Sequence, residues 1–323
     1  MNIEKVIEIL ADGGIHSGEE LGAALGVSRT AVWKQLKKLE GMGLCVESVK
    51  GRGYRLPNGL ELLELTKLKA QVSEQMLTHL TGIELFGSID STNTHVMNRA
   101  QDGAGHGLLC LAEHQTSGRG RQGRQWVSPY GRNIYLSLGW QFVSGVAALE
   151  GLSLAIGLAI ARALINHGVE GVQLKWPNDV LINHHKVAGV LLEMTGDASG
   201  VCQVVVGVGI NVHMLESEAK DIEQAWVSVG DIKKVSRNTL AGDLVHELLV
   251  ILSEFEAGGF APLREEWEAF DLFRDRDVCI TAGDQVTEGR VLGVSDNGAL
   301  RLHSASGDEQ LIYGGEASLR RAS

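Results

Sequence analysis

Residues Ser17 to Leu56 hold two helix-start signals separated by an obligatory turn, which leaves little freedom in how this stretch folds. Ser17 followed by Glu20 is a capping box for a short helix carrying Leu21 and Leu25. Gly26 then lets the chain turn where a side chain would crowd two crossing helices. Ser28 caps the next helix, whose inner face is Val32, Leu36 and Leu39. Ahead of these, Ile3, Val6, Ile7 and Leu10 give Met1 to Ala11 one apolar helical face, ended by Asp12 to Gly14. After Gly43, Cys45 to Val49 alternates like a strand, Lys50-Gly51-Arg52-Gly53 forms a basic turn, and Tyr54 to Leu56 returns. The pattern is a winged helix-turn-helix, whose second helix enters a DNA major groove. Arg29 and Thr30 suit base edges, and Lys34, Lys37 and Lys38 suit phosphates, with Ser28 and Trp33 on the same outer side. Lys50 and Arg52 at the hairpin tip suit a minor groove or backbone contact. A three-helix bundle with an ordinary solvated lysine face would look similar.

The formal net charge of -11 argues against polyanion binding by the whole surface. Locally the balance reverses: Arg29 to Arg55 carries seven basic residues and two acidic ones, Glu40 and Glu47. The 323 residues suffice for two or three domains. Cys45, Cys110, Cys202 and Cys279 are far apart and read as small buried hydrophobes in a reducing compartment. The apolar run Gly151 to Ala161 is too short to span a bilayer, and Glu4, Glu8 and Asp12 are unlike a signal peptide, so the expected address is the cytoplasm. Pro57 to Thr66 reads as a linker, and Leu68 to Leu80 as a helix opening the next domain.

From Ile83 to Phe270 strands and helices mix without a clean βαβ repeat, which predicts an α+β domain with one sheet. Five segments there look chemical. Asp90-Ser91-Thr92-Asn93 follows a strand and opens a helix, so its hydroxyls either cap that helix or hold a polar ligand head. Gly118 to Arg124 packs three arginines and three glycines into seven residues, suited to phosphate or a developing negative charge. Dinucleotide-binding spacing is absent from it. Trp126 then offers a flat surface for a ring. Lys175-Trp176-Pro177-Asn178-Asp179 turns between two strands; a surface hairpin or a triphosphate, magnesium or ribose site would each explain it. Lys186-Val187-Ala188-Gly189 puts a lysine beside small residues that permit close ligand approach. Gly207 and Gly209 interrupt a valine-rich strand, which implies a bulge or close passage of a ligand. Beyond Asp271, short strands with turn signals predict a compact β domain.

The wing KGRGYRL, then DSTN, GRGRQGRQW, KWPND, KVAGVLLE and VGVGINV occur in one order over nearly the whole chain. In this the chain resembles the bifunctional biotin–protein ligase and biotin operon repressor family. The resemblance implies a winged helix-turn-helix over residues 1–60, a mixed-sheet biotin/lipoate ligase-like catalytic domain over 61–270 and an SH3-like β barrel over 271–323. It implies that biotin and MgATP form biotinyl-5'-AMP and pyrophosphate, and that biotin then passes to a lysine of a biotin carboxyl carrier protein. Ser91, Thr92, Asn93, Gln115, Gly118, Gly120, Gly189 and Gly207 are implied in biotin binding. Arg119, Arg121 and Lys186 are implied as catalytic and as contacts to both substrates. Arg124, Trp126, Lys175, Asn178, Asp179 and Asn211 are implied at the nucleotide, with Asp179 also at magnesium. The arginine loop is expected to be disordered without ligand. An adenylate-bound homodimer on operator DNA is the implied repressor, with no membrane involved. A ligase without repression, a lipoate-type ligase and a non-enzymatic biotin sensor are the alternatives.

Overall fold

The computed structural model describes residues 3–143, 145, 149–196, 200–282, 285–304, 307–314 and 318–321. The expected helix start at Ala147, the turn at Gly283-Asp284 and the closing Ala317 lie outside them. Three helices, α1 (Ile3–Leu10), α2 (Gly18–Leu25) and α3 (Arg29–Gly41), open the chain. The capping box forms: the Ser17 hydroxyl accepts from the Glu20 amide at 3.1 Å, and the Glu20 carboxylate accepts from the Ser17 amide at 2.8 Å. Gly26 ends α2 in the left-handed region, at φ 66°. Val6, Ile7, Leu10, Leu21, Val32, Leu36 and Leu39 make the core. Strands β1 (Glu47–Val49) and β2 (Gly53–Arg55) pair as the wing, and His16 bridges to Tyr54 beside them. A side chain on Gly53 would overlap the His16 carbonyl, so glycine is required at that crossing. This core is not self-contained, because Tyr130 enters it from the central part of the chain.

Pro57 to Thr66 is not a slack linker. The Glu61 carboxylate accepts from the Ser236 hydroxyl at 2.5 Å, the Arg237 amide at 2.7 Å and Asn238 Nδ2 at 2.9 Å. The Leu63 amide donates to Glu113 Oε1 at 2.5 Å, and the other Glu113 oxygen pairs with the fully buried Arg237 guanidinium. These partners are distant in sequence, so no local pattern announces them. The helix expected over Leu68 to Leu80 is two short ones, α4 (Leu65–Lys69) and α5 (Glu74–Leu77), because the Ser73 hydroxyl caps a fresh start.

The remaining elements are β3 (Gly82–Phe86), α6 (Thr92–Gln101), β4 (Leu108–Ala112), β5 (Ile134–Phe142), α7 (Leu152–Asn166), β6 (Val172–Lys175), β7 (Asp179–Ile182), β8 (His185–Gly196), β9 (Cys202–Ile210), α8 (Val229–Ile232), α9 (Arg237–Gly258) and α10 (Arg264–Ala269). The seven strands form one sheet in the order β3-β4-β5-β9-β8-β7-β6, parallel only between β3 and β4. Strand residues alternate between its faces. Leu109, Leu111, Val204 and Val206 join the large core with α7 and α9, while Leu108, Cys110 and Val205 meet Val96 of α6 on the other face. The chemical residues of β8 and β9 share the α6 face.

Strands β10 (Asp277–Ala282), β11 (Gln285–Val294), β12 (Leu300–Ser304), β13 (Glu309–Ile312) and β14 (Ser318–Arg321) form an antiparallel sheet in the order β13-β12-β11-β10-β14. It is fastened to the central domain where Trp176 Nε1 donates to the Gly298 carbonyl at 3.1 Å. Leu174 also exchanges backbone bonds with Phe270 and Leu272. Cys110 and Cys202 are buried as expected and Cys279 is half-buried, but Cys45 is exposed, because its neighbour Leu44 takes the inward position. Among the described residues no helix is long and apolar enough to cross a membrane. The apolar run in α7 is core.

Asp271 lies at this junction, with Oδ1 accepting from the Phe273 amide at 3.0 Å and Oδ2 buried without a partner. Burial raises its pKa from 3.8 to about 6. Its contribution to stability is therefore full below the unfolded value and lost as pH rises through the folded one. Asp271→Asn should stabilise the protein by about 1–2 kcal/mol near pH ~8, and the gain should vanish below pH ~4. Urea unfolding at both pH values checks this; an equal effect at the two would overturn it.

Candidate active site

The turn from β3 into α6 resolves the two readings of the DSTN segment. Ser91 caps the helix, its hydroxyl accepting from the Thr94 amide at 3.4 Å. Thr92 and Asn93 do something else. The Thr92 amide and hydroxyl both donate to Gln115 Oε1, at 2.9 and 3.1 Å. Gln115 Nε2 donates to Ser128 Oγ at 3.2 Å, and that hydroxyl donates to the Trp126 carbonyl at 2.9 Å. From β5, the fully buried Ser137 hydroxyl lies 2.7 Å from Thr92 Oγ1 and 2.5 Å from Asn93 Oδ1. Asn93 Nδ2 donates to Glu193 Oε2 at 2.9 Å. The result is a ring of polar groups on an otherwise apolar sheet face. Gly207 is explained by it: a Cβ there would overlap the Asn93 amide. No bulge is present, since β8 and β9 pair in unbroken register from Ala188↔Ile210 to Gly196↔Cys202.

A cationic group lies beside the ring. Lys186 Nζ contacts Asp179 Oδ1 at 2.6 Å, with both side chains mostly buried. Arg121 Nη1 donates to Asn178 Oδ1 at 2.7 Å, while Asn178 Nδ2 donates to the Val190 carbonyl at 3.0 Å. Burial lowers the Lys175 pKa; the nearby Asp179 opposes this, and the charges of Lys186, Arg320 and Arg124 reinforce it. Burial also lowers that of Arg121. Lysines and arginines from β6, β8, the glycine-rich loop and β14 thus converge on the space around Asp179. Such a field favours a polyanion, which would relieve the mutual repulsion.

The glycine-rich loop folds back on itself: the Gly120 amide donates to the Arg124 carbonyl at 2.7 Å and the Trp126 amide to the Gly118 carbonyl at 2.9 Å. Arg119 Nη2 donates to Glu193 Oε2 at 3.0 Å and to Thr94 Oγ1 at 3.1 Å, so the loop reaches across to α6 and β8. The Trp126 indole lies over the sheet, where Gly209 and Gly189 leave room. A Cβ on Gly209 would stand 2.5 Å from Trp126 Cε2. Lys186 Nζ is 5.6 Å from the ring centroid. Trp126 Nε1 is buried with no partner, as a donor awaiting a ligand would be.

Ring, cations and indole line one cleft of about 780 Å³, large enough for two linked small molecules. All the expected ligand-binding residues line it except Gly118. Gly118 sits underneath, where a side chain would meet the Trp126 carbonyl and the Ser128 hydroxyl, so it shapes the base of the loop. Ala188 is core rather than pocket. Asn211 lines the cleft, with its backbone bonded to Val187 and Val229. Sequence reasoning missed Ser128, Ser137, Glu193, Trp226 and Arg320. Ser137 was detectable as a lone hydroxyl in an apolar strand, whereas Arg320 comes from the far end of the chain. Among the described residues no three His, Cys, Asp or Glu gather as metal ligands.

On the helix-turn-helix, Trp33 is 52% exposed with Lys37 5.9 Å over its ring. Thr30, Lys34, Lys38, Lys50 and Arg52 are also exposed. The Ser28 hydroxyl is taken up in capping, 3.4 Å from the Ala31 amide. Arg29 lies across Gly18 at the start of α2.

Family models match in three places: an HTH domain at residues 2–55, the biotin/lipoate A/B protein ligase family at 85–211 and the biotin protein ligase C terminal domain at 275–320. The bifunctional ligase/repressor BirA of Escherichia coli (strain K12) is 40% identical over 98% of this chain and 97% of its own. A biotin--[acetyl-CoA-carboxylase] ligase of Paracoccus denitrificans is 33% identical, over 70% of this chain and 98% of its own. The solved biotin protein ligase from Aquifex aeolicus in complex with biotin and ATP superposes with a TM-score of 0.64 at 28% identity, covering 75% of this chain and all of that one.

Gly209→Ala should push the indole of Trp126 off the sheet and red-shift its fluorescence. The same change in a Trp126→Phe background should shift nothing. An unaltered spectrum in the first case would show that the glycine is not there for the indole.

Proposed function

The chain belongs to the biotin/lipoate A/B protein ligase family, and from that premise we propose that it is an ATP-dependent biotin–protein ligase that also represses transcription. The observation that supports the chemistry is the meeting, in one cleft, of an uncharged polar ring with a cationic group. A neutral ureido head needs donors and acceptors without charge, and Thr92, Asn93, Gln115 and Ser137 supply both. A triphosphate needs converging cations. Biotin's carboxylate, lying between the two, attacks the α-phosphorus of ATP; the bond to pyrophosphate breaks and biotinyl-5'-AMP forms. The ε-amine of an acceptor lysine then attacks the acyl carbon, losing a proton as AMP leaves. Both steps need positioning and charge stabilisation rather than a protein nucleophile.

In this reading Ser91, Thr92, Asn93 and Gln115 hold the ring end of biotin beside Gly207 and Gly189. Lys186, aimed by Asp179, stabilises the oxygens of the carboxyl and α-phosphate. Arg119, Gly120 and Arg121 close over the anhydride and exclude water. Trp126 packs on the adenine side, and Arg124, Lys175, Asn178 and Asn211 serve the nucleotide. The cleft fits a magnesium ion accompanying the triphosphate, and Asp179 would be the protein carboxylate that holds it. The ion would supply charge neutralisation.

The domains are 1–60, 61–270 and 271–323, and the expected address is the cytoplasm. The acceptor is the carrier protein of acetyl-CoA carboxylase. A single winged module makes few phosphate contacts, so operator binding calls for a homodimer, formed when the adenylate is bound and acting as corepressor. The first domain carries this part of the reading: α3 and the wing present Thr30, Trp33, Lys34, Lys38 and Arg52 to solvent.

Incubation with biotin, MgATP and a biotin carboxyl carrier domain should raise the acceptor mass by one biotin. An unchanged mass together with no adenylate would overturn the reading. Lys186→Ala should slow adenylate formation by about 10²–10³-fold, and a near-normal rate would remove Lys186 from the chemistry. Gel shifts on the DNA upstream of biotin synthesis genes, with and without biotin and ATP, test repression separately.

A further inference from the structure

Glu193 has no part in the chemistry described, yet it lies beside the cleft, under the glycine-rich loop, and bonds to both the loop and the polar ring. Its Oε2 accepts from two donors: Arg119 Nη2 at 3.0 Å, from the glycine-rich loop, and Asn93 Nδ2 at 2.9 Å, from the polar ring. Asn93 continues to Ser137, Ser137 to Thr92, Thr92 to Gln115, and Gln115 through Ser128 to the Trp126 carbonyl. The chain of bonds thus begins at Arg119 and returns to Trp126, the two ends of the same loop. A ligand head entering the ring has to exchange bonds with Thr92, Asn93 or Gln115, and so alters what holds each end of the loop. Glu193 is the one carboxylate in this run of hydrogen bonds, and a charge-assisted bond to Arg119 is stronger than the neutral bonds on the other side.

We propose that Glu193 is a positioning residue that acts through Arg119 to fasten the arginine loop over the cleft, so that filling the polar ring is felt by the lid that retains the acyl-adenylate. This deepens the ligase reading and rests on it for the identity of the retained species. The latch itself rests only on the geometry. The side chains of Glu193 and Arg119 are 27% and 46% exposed, so water competes for the pair and the lid can open on each turnover. Glu193 lies within β8, paired with Val205 of β9, which gives the loop an anchor in the sheet rather than in another loop.

The test uses the full chain as wild type, Glu193→Gln, Glu193→Ala, Arg119→Ala and the Glu193→Ala/Arg119→Ala double variant. Two rates are read: escape of preformed biotinyl-5'-AMP in the absence of acceptor, and tryptic cleavage at Arg121 and Arg124 without any ligand. Glu193→Ala should release adenylate about tenfold faster, Glu193→Gln less so, and ligand-free loop cleavage should speed up in the same order. The double variant should be no leakier than Arg119→Ala alone, because the second change removes what the first acts through. Unchanged escape and cleavage in Glu193→Ala, or effects that simply add in the double variant, would overturn the proposal. Should the wild type form no adenylate, the ligase reading fails, and the ligand-free cleavage rates still decide whether the latch exists.

Discussion

A buried guanidinium organises this molecule. Arg237, at the start of α9, is fully enclosed, and an enclosed charge persists only where partners surround it. Glu113 supplies the countercharge, and the carbonyls of Glu61 and Gly131 accept from Nη1 at 2.5 and 2.8 Å. Those partners belong to the segment leading from the DNA-reading module, the end of β4 and the approach to β5. Gln115 of the polar ring lies two residues beyond Glu113, and Tyr130, which completes the core of the reader, directly precedes Gly131. One ion pair therefore sets both how the reader is attached and where the ring's acceptor stands. Removing either partner would leave the other charge buried, which is far more costly than never having had the pair.

The second constraint is steric. The sheet face under α6 must carry a polar asparagine and a flat indole directly on its backbone. Gly207 and Gly209 make this possible on alternate positions of one central strand, since residues two apart share a face. The same alternation sends Val204, Val206 and Val208 to the opposite side, into the large apolar core. A strand that reads as weakened by glycine is thus firmly held from behind and cleared in front. The cationic groups then arrive from separate directions: Lys186 from β8, Lys175 from β6, the arginines from the loop and Arg320 from the C-terminal sheet. That sheet lies against the central domain because Trp176 hydrogen-bonds to Gly298, which joins the KWPND turn to the last domain.

The sequence alone determined whatever depends on short-range chemistry. The capping serines, the left-handed glycine and the apolar spacing specify the three N-terminal helices and the wing, because each acts within a few residues. Strand and helix identities in the central region followed from periodicity, and the clustered arginines, lysines and glycines marked the site before any contact was known. Only the tertiary structure decided how these pieces are joined. It turned the supposed linker into a hydrogen-bonded strap, divided one expected helix at Ser73, withdrew Gly118 and Ala188 from the pocket, exposed Cys45, set Ser137 and Glu193 behind Thr92 and Asn93, and brought Arg320 into the cleft. Each of these outcomes depends on a partner many residues away. A buried carboxylate or hydroxyl takes its role from the group it faces, and that group is chosen by how the sheet and helices pack.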